Sequence, residues 1–248
     1  GKVTRIDAEN RRLIIADGQS IPYDVLSCNV GSEIDCRSFQ TSGKRIITVK
    51  PVEHLFEAHC AIRNELRSHS VRVVVVGAGP AGVEMAANTI LLGNDRPHNP
   101  DVTLVTRGKI LMRFPPRVRR KARKKLSALG VRTVENARVV NNTERQVELE
   151  GMPPIAFDYA FIATGTKPPS LFADSDIPCG DTGGLLVGSS LNSSMYPEIF
   201  GGGDCIDFKP RPLPKVGVYA VRENGILKTN LRRSLEGNPL EEFVPQKA

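Results

Sequence analysis

The sequence predicts an α/β fold in which a nucleotide-binding domain with a parallel sheet is inserted between flanking β-rich segments. Three observations support this prediction. Val73 to Val76 form an uninterrupted β-branched run, which is typical of a strand buried on both faces of a parallel sheet. A glycine-rich turn and a helix pattern follow it directly, and strands and helices then alternate to about residue 165. Residues 1–30 instead alternate with the two-residue period of a β-meander.

The elements before the β-branched run follow from turn residues and periodicity. Residues 1–7, 12–16 and 20–25 predict three antiparallel strands, with Asp17-Gly18 as a hairpin turn. Short strands are predicted at 25–28 and 46–49, and an amphipathic helix over 51–68.

Gly77, Gly79 and Gly82 form the pattern G-x-G-x-x-G between the strand and a helix predicted over 80–92. In the Rossmann-like fingerprint the first glycine makes the turn, the second lets a pyrophosphate approach the backbone, and the third lets helix and strand pack closely. Pro80 and Ala81 open the helix, whose free N–H groups and positive end favour phosphate. We therefore expect nucleotide binding here, the alternative being a purely structural glycine turn.

The next predicted strand, residues 102–106, ends where such domains recognise the ribose of the nucleotide. An acidic residue at this position selects NAD, whereas Arg accommodates the extra phosphate of NADP. Thr106 and Arg107 occupy the position, which favours NADP but leaves NAD open. The predicted unit then continues with a strand over 131–135 and an antiparallel pair of strands at 138–141 and 146–149. It ends with a strand over 157–163.

The net charge of +7 is concentrated in one predicted helix, which begins at Pro115 or Pro116 and ends at Gly130. Eight cations with no intervening acid lie in or just before it: Arg113, Arg117, Arg119, Arg120, Lys121, Arg123, Lys124 and Lys125. They form either a solvated helix face or a patch that attracts acidic lipid, nucleotide phosphate or nucleic acid. Phe114 is the one aromatic residue among them, which disfavours nucleic acid.

The five cysteines are odd in number and contain no C-x-x-C, so the sequence predicts neither a disulfide framework nor a zinc site. We expect no metal and a reducing, cytoplasmic location. No apolar run approaches the roughly 18 residues of a membrane span, so any membrane contact is expected to be peripheral.

Four motifs, in order, resemble those of the FAD-dependent pyridine nucleotide-disulfide oxidoreductases. FDYAFIATGTKPP at 157–169 is similar to the A-T-G strand-end motif, and YDVLSCNVGS at 23–32 to the other strand end. PEIFGGGDCIDF at 197–208 resembles the second flavin motif, and residues 213–243 resemble the helix beneath the flavin. Within the family the chain looks closest to the type II NADH dehydrogenase and sulfide:quinone oxidoreductase branch, and to the group associated with selenide, water dikinase.

The resemblance implies three segments. Residues 1–69 and 168–248 would be parts of an FAD-binding domain, and residues 70–167 a Rossmann-like NAD(P)-binding domain between them. Family members open with a β-α-β unit that holds the ADP half of FAD, and no such unit precedes Gly1. We therefore expect a chain truncated at both ends, inactive by itself, whose affinity for FAD is in doubt.

The resemblance also assigns site residues. Gly203 and Asp204 would contact the ribityl chain of FAD, and Val218 and Ala220 at the start of a helix would face the flavin.

Thr164 and Gly165 would line the nucleotide cleft, the alternative being a simple strand-end turn, and Glu84 would lie beside the nicotinamide. A first-turn helix acid is the alternative role for Glu84. Cys28, Cys36 and Cys205 are either redox thiols or packing residues.

The implied function is FAD-dependent NAD(P)H oxidation, with electrons passing to a quinone-like or other small-molecule acceptor, in a chain that could form a homodimer. The alternative is a nucleotide-binding regulatory module of a larger or fused enzyme, without its own redox turnover. Nucleic-acid binding through the basic helix would leave the other motifs unexplained, so we expect no nucleic-acid partner.

Overall fold

The computed structural model describes residues 1–36, 39, 45–50 and 52–246 of the 248-residue chain. It contains seventeen short strands and four α-helices within these residues. The strands are β1 (Val3–Asp7), β2 (Arg12–Ile15), β3 (Ser20–Pro22), β4 (Leu26–Cys28), β5 (Glu33–Ile34), β6 (Ile46–Thr48), β7 (Arg72–Val76), β8 (Asp101–Val105), β9 (Arg132–Val134), β10 (Val139–Asn142), β11 (Gln146–Leu149), β12 (Met152–Ala156), β13 (Tyr159–Ile162), β14 (Thr166–Lys167), β15 (Leu185–Val187), β16 (Ile199–Gly201) and β17 (Ile206–Phe208). The helices are α1 (Glu53–Glu65), α2 (Pro80–Ile90), α3 (Pro116–Ala128) and α4 (Gly217–Glu236).

The chain divides into two compact units. Ile34–Gly165 form one, here called the inserted unit, and Gly1–Glu33 with Thr166–Ala248 form the other, the discontinuous unit. The sequence predicts the first boundary at residue 70, whereas in the structure α1 belongs to the inserted unit. The reason is packing, since Ala58 and Ile62 of α1 are buried in the same hydrophobic cluster as β7.

The inserted unit is built on a five-stranded parallel sheet in the order β6-β13-β7-β8-β9. Val73 and Val75 of β7 pack in the cluster that contains buried residues of α1, α2 and α3. Val74 and Val76 pack in a second cluster with buried residues of β11. Since successive side chains of a strand point to opposite faces, both faces of β7 are covered, which explains its unbroken β-branched run.

A three-stranded antiparallel sheet, in the order β10-β11-β12, follows β9 in the chain. The sequence predicted its first two strands and missed β12, which contains Pro153 and Pro154. Proline lacks the N–H that a ladder needs, so it is confined to edge strands. β12 occupies the edge of its sheet, where that N–H is dispensable.

The discontinuous unit contains the predicted meander, β1-β2-β3, and two parallel pairs, β4 with β16 and β15 with β17. Phe172 and Phe200 are fully buried in its core, where Tyr219 and Leu227 of α4 are also buried. The helix ends at Gly237, which has the left-handed conformation typical of a helix terminus (φ 69°).

The helices after residue 50 lie close to their predicted positions. α1 falls within the predicted range 51–68, of which residue 51 lies outside the described residues. α3 begins at Pro116, and Gly130 (φ 84°) follows its end, as expected from the helix-stop role of glycine. No helix in the described residues combines the length and the apolar character that crossing a membrane requires.

Candidate functional site

The turn between β7 and α2 requires glycine at its first position. Gly77 has φ 106°, and its N–H donates to the carbonyl oxygen of Val105 at 2.8 Å. A Cβ on Gly77 would lie 2.3 Å from the carbonyl oxygen of Ala163, at the end of β13. Both the backbone conformation and the close approach of two strands therefore exclude a side chain here.

Gly82 is closely packed, whereas Gly79 faces open space. A Cβ on Gly82 would lie 1.8 Å from the carbonyl oxygen of Gly77, so the first turn of α2 packs directly on the glycine turn. No heavy atom lies within 4 Å of a Cβ built on Gly79, which is exposed and precedes α2 without a side-chain cap. The N-terminal amides of α2, beside the exposed Pro80 and Ala81, thus have room for a phosphate group.

The other residues predicted for nucleotide binding follow the carboxyl ends of neighbouring parallel strands. Half-buried Thr106 and exposed Arg107 come after β8. Thr164 and Gly165 follow β13, where the Thr164 hydroxyl donates to the Asp35 carbonyl oxygen at 3.0 Å and Asp35 N–H donates to the Gly165 carbonyl oxygen at 3.0 Å. This edge of an open parallel sheet is where α/β proteins bind ligands.

Glu84 lies on α2 beyond its first turn and is exposed, so the alternative role of a first-turn helix acid is wrong. Its side chain is therefore accessible to a ligand at the start of the helix, and its exposure is equally typical of a solvated helix acid.

In the discontinuous unit, the Gly203-Asp204 turn lies against the start of α4. Gly203 has φ 76°, and a Cβ built on it would lie 3.3 Å from the Cβ of Ala220. α4 begins without a side-chain cap, and Val218 and Ala220 in its first turn are exposed. Beside the turn, the exposed start of α4 offers first-turn N–H groups and the positive end of the helix dipole, here called the cradle.

Glu223 holds this turn and was not found from the sequence. Its Oε2 accepts the Gly203 N–H at 2.6 Å, and only 2% of the residue is exposed. Burial raises the pKa of Glu223, while the Gly203 hydrogen bond and the charge of Lys215 oppose that rise. The spacing Tyr219, Glu223, Leu227 places a carboxylate on the buried helix face, a pattern that could have revealed it.

Asp204 is held from the other side of the turn. One oxygen of its carboxylate accepts the Ser32 hydroxyl at 2.8 Å, and the side chain is partly exposed. A carboxylate in this position can accept further hydrogen bonds from the hydroxyl groups of a ligand.

A sequence model of one protein family matches residues 1–223 of the chain, and that family is described as pyridine nucleotide-disulphide oxidoreductase. The chain belongs to this family. The family prediction made from the four motifs and the α/β fold class are both confirmed.

Relatives of this family member include ferroptosis suppressor protein 1 of Taeniopygia guttata, which is 27% identical over 265 residues, covering 99% of the chain and 65% of the relative. Demethylphylloquinone reductase NdbB of Synechocystis sp. is 23% identical, over 96% of the chain and 62% of its own length. The structure of an NAD-dependent persulfide reductase from A. fulgidus superposes with a TM-score of 0.83 at 20% identity, covering 100% of the chain and 46% of that structure. The chain thus spans about two thirds of the curated relatives' length.

In this family member Cys28, Cys60, Cys179 and Cys205 are free thiols. Cys28 and Cys205 are buried, and burial raises the pKa of Cys28 to about 12 and also raises the pKa of Cys205. Because the thiolate is the reactive form, this environment favours packing over a redox role. Among the described residues no group of three or more His, Cys, Asp or Glu side chains could hold a metal ion.

Proposed function

We propose that the protein is an FAD-dependent NAD(P)H oxidoreductase that delivers electrons to a quinone-like acceptor. The observation that carries the proposal is the glycine turn before α2, where Gly77 and Gly82 leave no space for side chains and Gly79 faces open space. This combination of two closely packed glycines and one open glycine is typical of a turn that binds a diphosphate, and a simple structural turn would not require it.

The nucleotide would lie on the inserted unit. The backbone N–H groups of Gly79 and Ala81, where α2 begins, would donate to its diphosphate. Pro80 lies between them and lacks an N–H, but at the first helical position that N–H would have no helical partner. Thr106 and Arg107 follow the next strand, where the guanidinium of Arg107 is exposed and can bind the 2′-phosphate of NADPH. The proposal therefore includes a preference for NADPH over NADH.

Three further residues would contact the nicotinamide half of the nucleotide. Thr164 and Gly165 line its cleft, supported by their fixed hydrogen bonds to Asp35. Glu84 would orient the nicotinamide through its exposed carboxylate.

The flavin would lie on the discontinuous unit, and the residues there fit it. Asp204 can accept a hydrogen bond from a ribityl hydroxyl, and glycine at position 203 places no side chain beside Ala220. The first-turn amides of α4, near Val218 and Ala220, would hold negative charge on the pyrimidine edge. When bound, FAD supplies the two-electron chemistry, accepting a hydride and passing electrons on.

In this scheme the inserted unit, which contains α1 in addition to residues 70–165, would form the NAD(P)-binding domain, and the discontinuous unit would contribute parts of the FAD-binding domain. The acceptor class is suggested by the relative named demethylphylloquinone reductase. Because quinones partition into bilayers, the proposal includes peripheral membrane contact of a cytoplasmic protein. It also includes a homodimer.

The test is a flavin spectrum followed by anaerobic reduction. Purified full-length protein should show flavin absorbance that is bleached by NADPH, with less efficient bleaching by NADH, and restored by a soluble quinone analogue. Asp204→Asn should lower flavin content, while Asp181→Asn, at an exposed position of the same unit, should not.

A different result would replace the proposal. Tight binding of the nucleotide by full-length protein that does not bind added FAD would instead indicate a regulatory module without redox turnover.

A further inference from the structure

The cations of the chain are concentrated around α3. Between Arg107 and Gly130 the sequence has ten Lys or Arg residues and no Asp or Glu. Because the whole chain has 34 cations and 27 acids, the remaining residues carry a net negative charge. The excess of positive charge is therefore a local property of one segment of the chain.

α3 separates an apolar face from a basic one. Leu126 is buried, and Ala122 and Leu129 pack on the same hydrophobic cluster. The opposite side, here called the basic face, carries four exposed cations at positions i, i+3, i+4 and i+7, namely Arg117, Arg120, Lys121 and Lys124.

The basic face does not stabilise the helix or the core. Like charges three and four residues apart repel, and cations in a first turn oppose the helix dipole. No described residue forms an ion pair with these four side chains, although their neighbour Arg123 pairs with Glu135 at 2.7 Å. An anionic partner outside the chain would relieve the repulsion.

Large apolar side chains flank the same face. Met112 and Phe114, in the turn that leads into α3, are 70% and 41% exposed, and Val118 in its first turn is 40% exposed. Cations beside exposed apolar groups are typical of segments that lie at a lipid interface. A nucleic-acid surface would be expected to interleave several stacking aromatics, and here Phe114 is the single one.

We propose that this α3 surface docks the protein on an anionic phospholipid bilayer, with the basic face against the headgroups and Met112 and Phe114 at the acyl boundary. This inference rests on the proposed function in one respect: membrane docking would give the enzyme access to an electron acceptor dissolved in the bilayer. Binding to vesicles is measured without turnover, so the surface and the redox activity can fail independently.

The test is co-sedimentation of the protein with vesicles. We expect binding to an equimolar mixture of phosphatidylcholine and phosphatidylglycerol, weak binding to phosphatidylcholine alone, and loss of binding as salt rises. Each neutralised cation should weaken binding about fivefold, so a triple variant with Arg117→Gln, Arg120→Gln and Lys124→Gln should lose about 100-fold.

Two further variants make the test specific. Lys2→Gln, Lys209→Gln and Lys228→Gln remove the same charge from exposed positions of the discontinuous unit and should leave vesicle binding unchanged. Met112→Ser with Phe114→Ser should weaken binding while its dependence on salt persists. Thermal unfolding of each variant reports whether it is folded.

Three results would overturn the proposal. One is wild-type protein that remains in the supernatant with the mixed vesicles. Another is equal loss of binding in the control triple variant. The last is charge-dependent binding of a DNA or RNA duplex that exceeds binding to vesicles, which would make the surface a nucleic-acid interface.

Discussion

Gly79→Ala separates nucleotide binding from stability at the turn before α2. Gly79 has φ −72° and ψ −176°, which alanine adopts without strain, and its Cβ would contact no protein atom within 4 Å. Replacing glycine at such a position restricts the unfolded chain and stabilises a protein by about 0.4–1 kcal/mol. The methyl group would nevertheless occupy the space over the first amides of α2. Loss of one charge-assisted hydrogen bond to phosphate, about 1.5–3 kcal/mol, corresponds to about 10- to 100-fold weaker nucleotide binding.

Gly82→Ala is the matched comparison three residues along the chain. Its Cβ would lie 1.8 Å from the Gly77 carbonyl oxygen, so α2 must move away from the turn. Overpacking of this kind costs about 1–3 kcal/mol, and it also displaces the helix amides. G82A should therefore lose both stability and nucleotide affinity.

Thermal unfolding and calorimetric titration with NADPH measure both effects. We expect Tm to rise slightly in G79A and to fall in G82A, with weaker nucleotide binding in each. A G79A protein that binds NADPH as tightly as the wild type would refute the placement of the diphosphate over α2.

Three other substitutions test separate parts of the structure. Arg107→Glu should raise KM for NADPH relative to NADH in steady-state assays, and an unchanged ratio would remove Arg107 from the ribose site. Burial raises the pKa of Glu223, so the wild type should lose stability as pH rises from the unfolded-state pKa through the raised folded-state pKa. Glu223→Gln keeps an acceptor for the Gly203 N–H and should be the more stable protein in alkali. Parallel pH profiles of stability for the two proteins would contradict this expectation. The hydrogen bond from Arg72 lowers the pKa of Asp158 in the folded state. The stability that this pair provides is therefore fully present above the unfolded-state pKa of Asp158 and is lost as pH falls through its folded-state pKa. Asp158→Asn should lower the free energy of unfolding at neutral pH by about 1 kcal/mol, a modest amount because solvent screens the half-exposed Arg72. It should also flatten the decline of that free energy at acid pH, which denaturant unfolding at a series of pH values measures.

Local signals predicted the parts of the fold that depend on neighbours in sequence. The β-branched run, G-x-G-x-x-G and the helix after it are contiguous, and β7 and α2 lie where they were expected. β12 was missed because Pro153 and Pro154 argue against a strand unless its edge position is known.

The sequence by itself determined the α/β class, the family and the glycine turn, because each is written in adjacent residues whose spacing reflects backbone geometry. Only the tertiary structure decided that α1 packs with the inserted unit and that Glu223 holds the Gly203 turn from twenty residues away. Burial and long-range hydrogen bonds arise when distant segments meet, and no local periodicity encodes which segments those are. The exposure of Met112 and Phe114 beside the cations of α3 likewise depends on what the rest of the chain leaves uncovered.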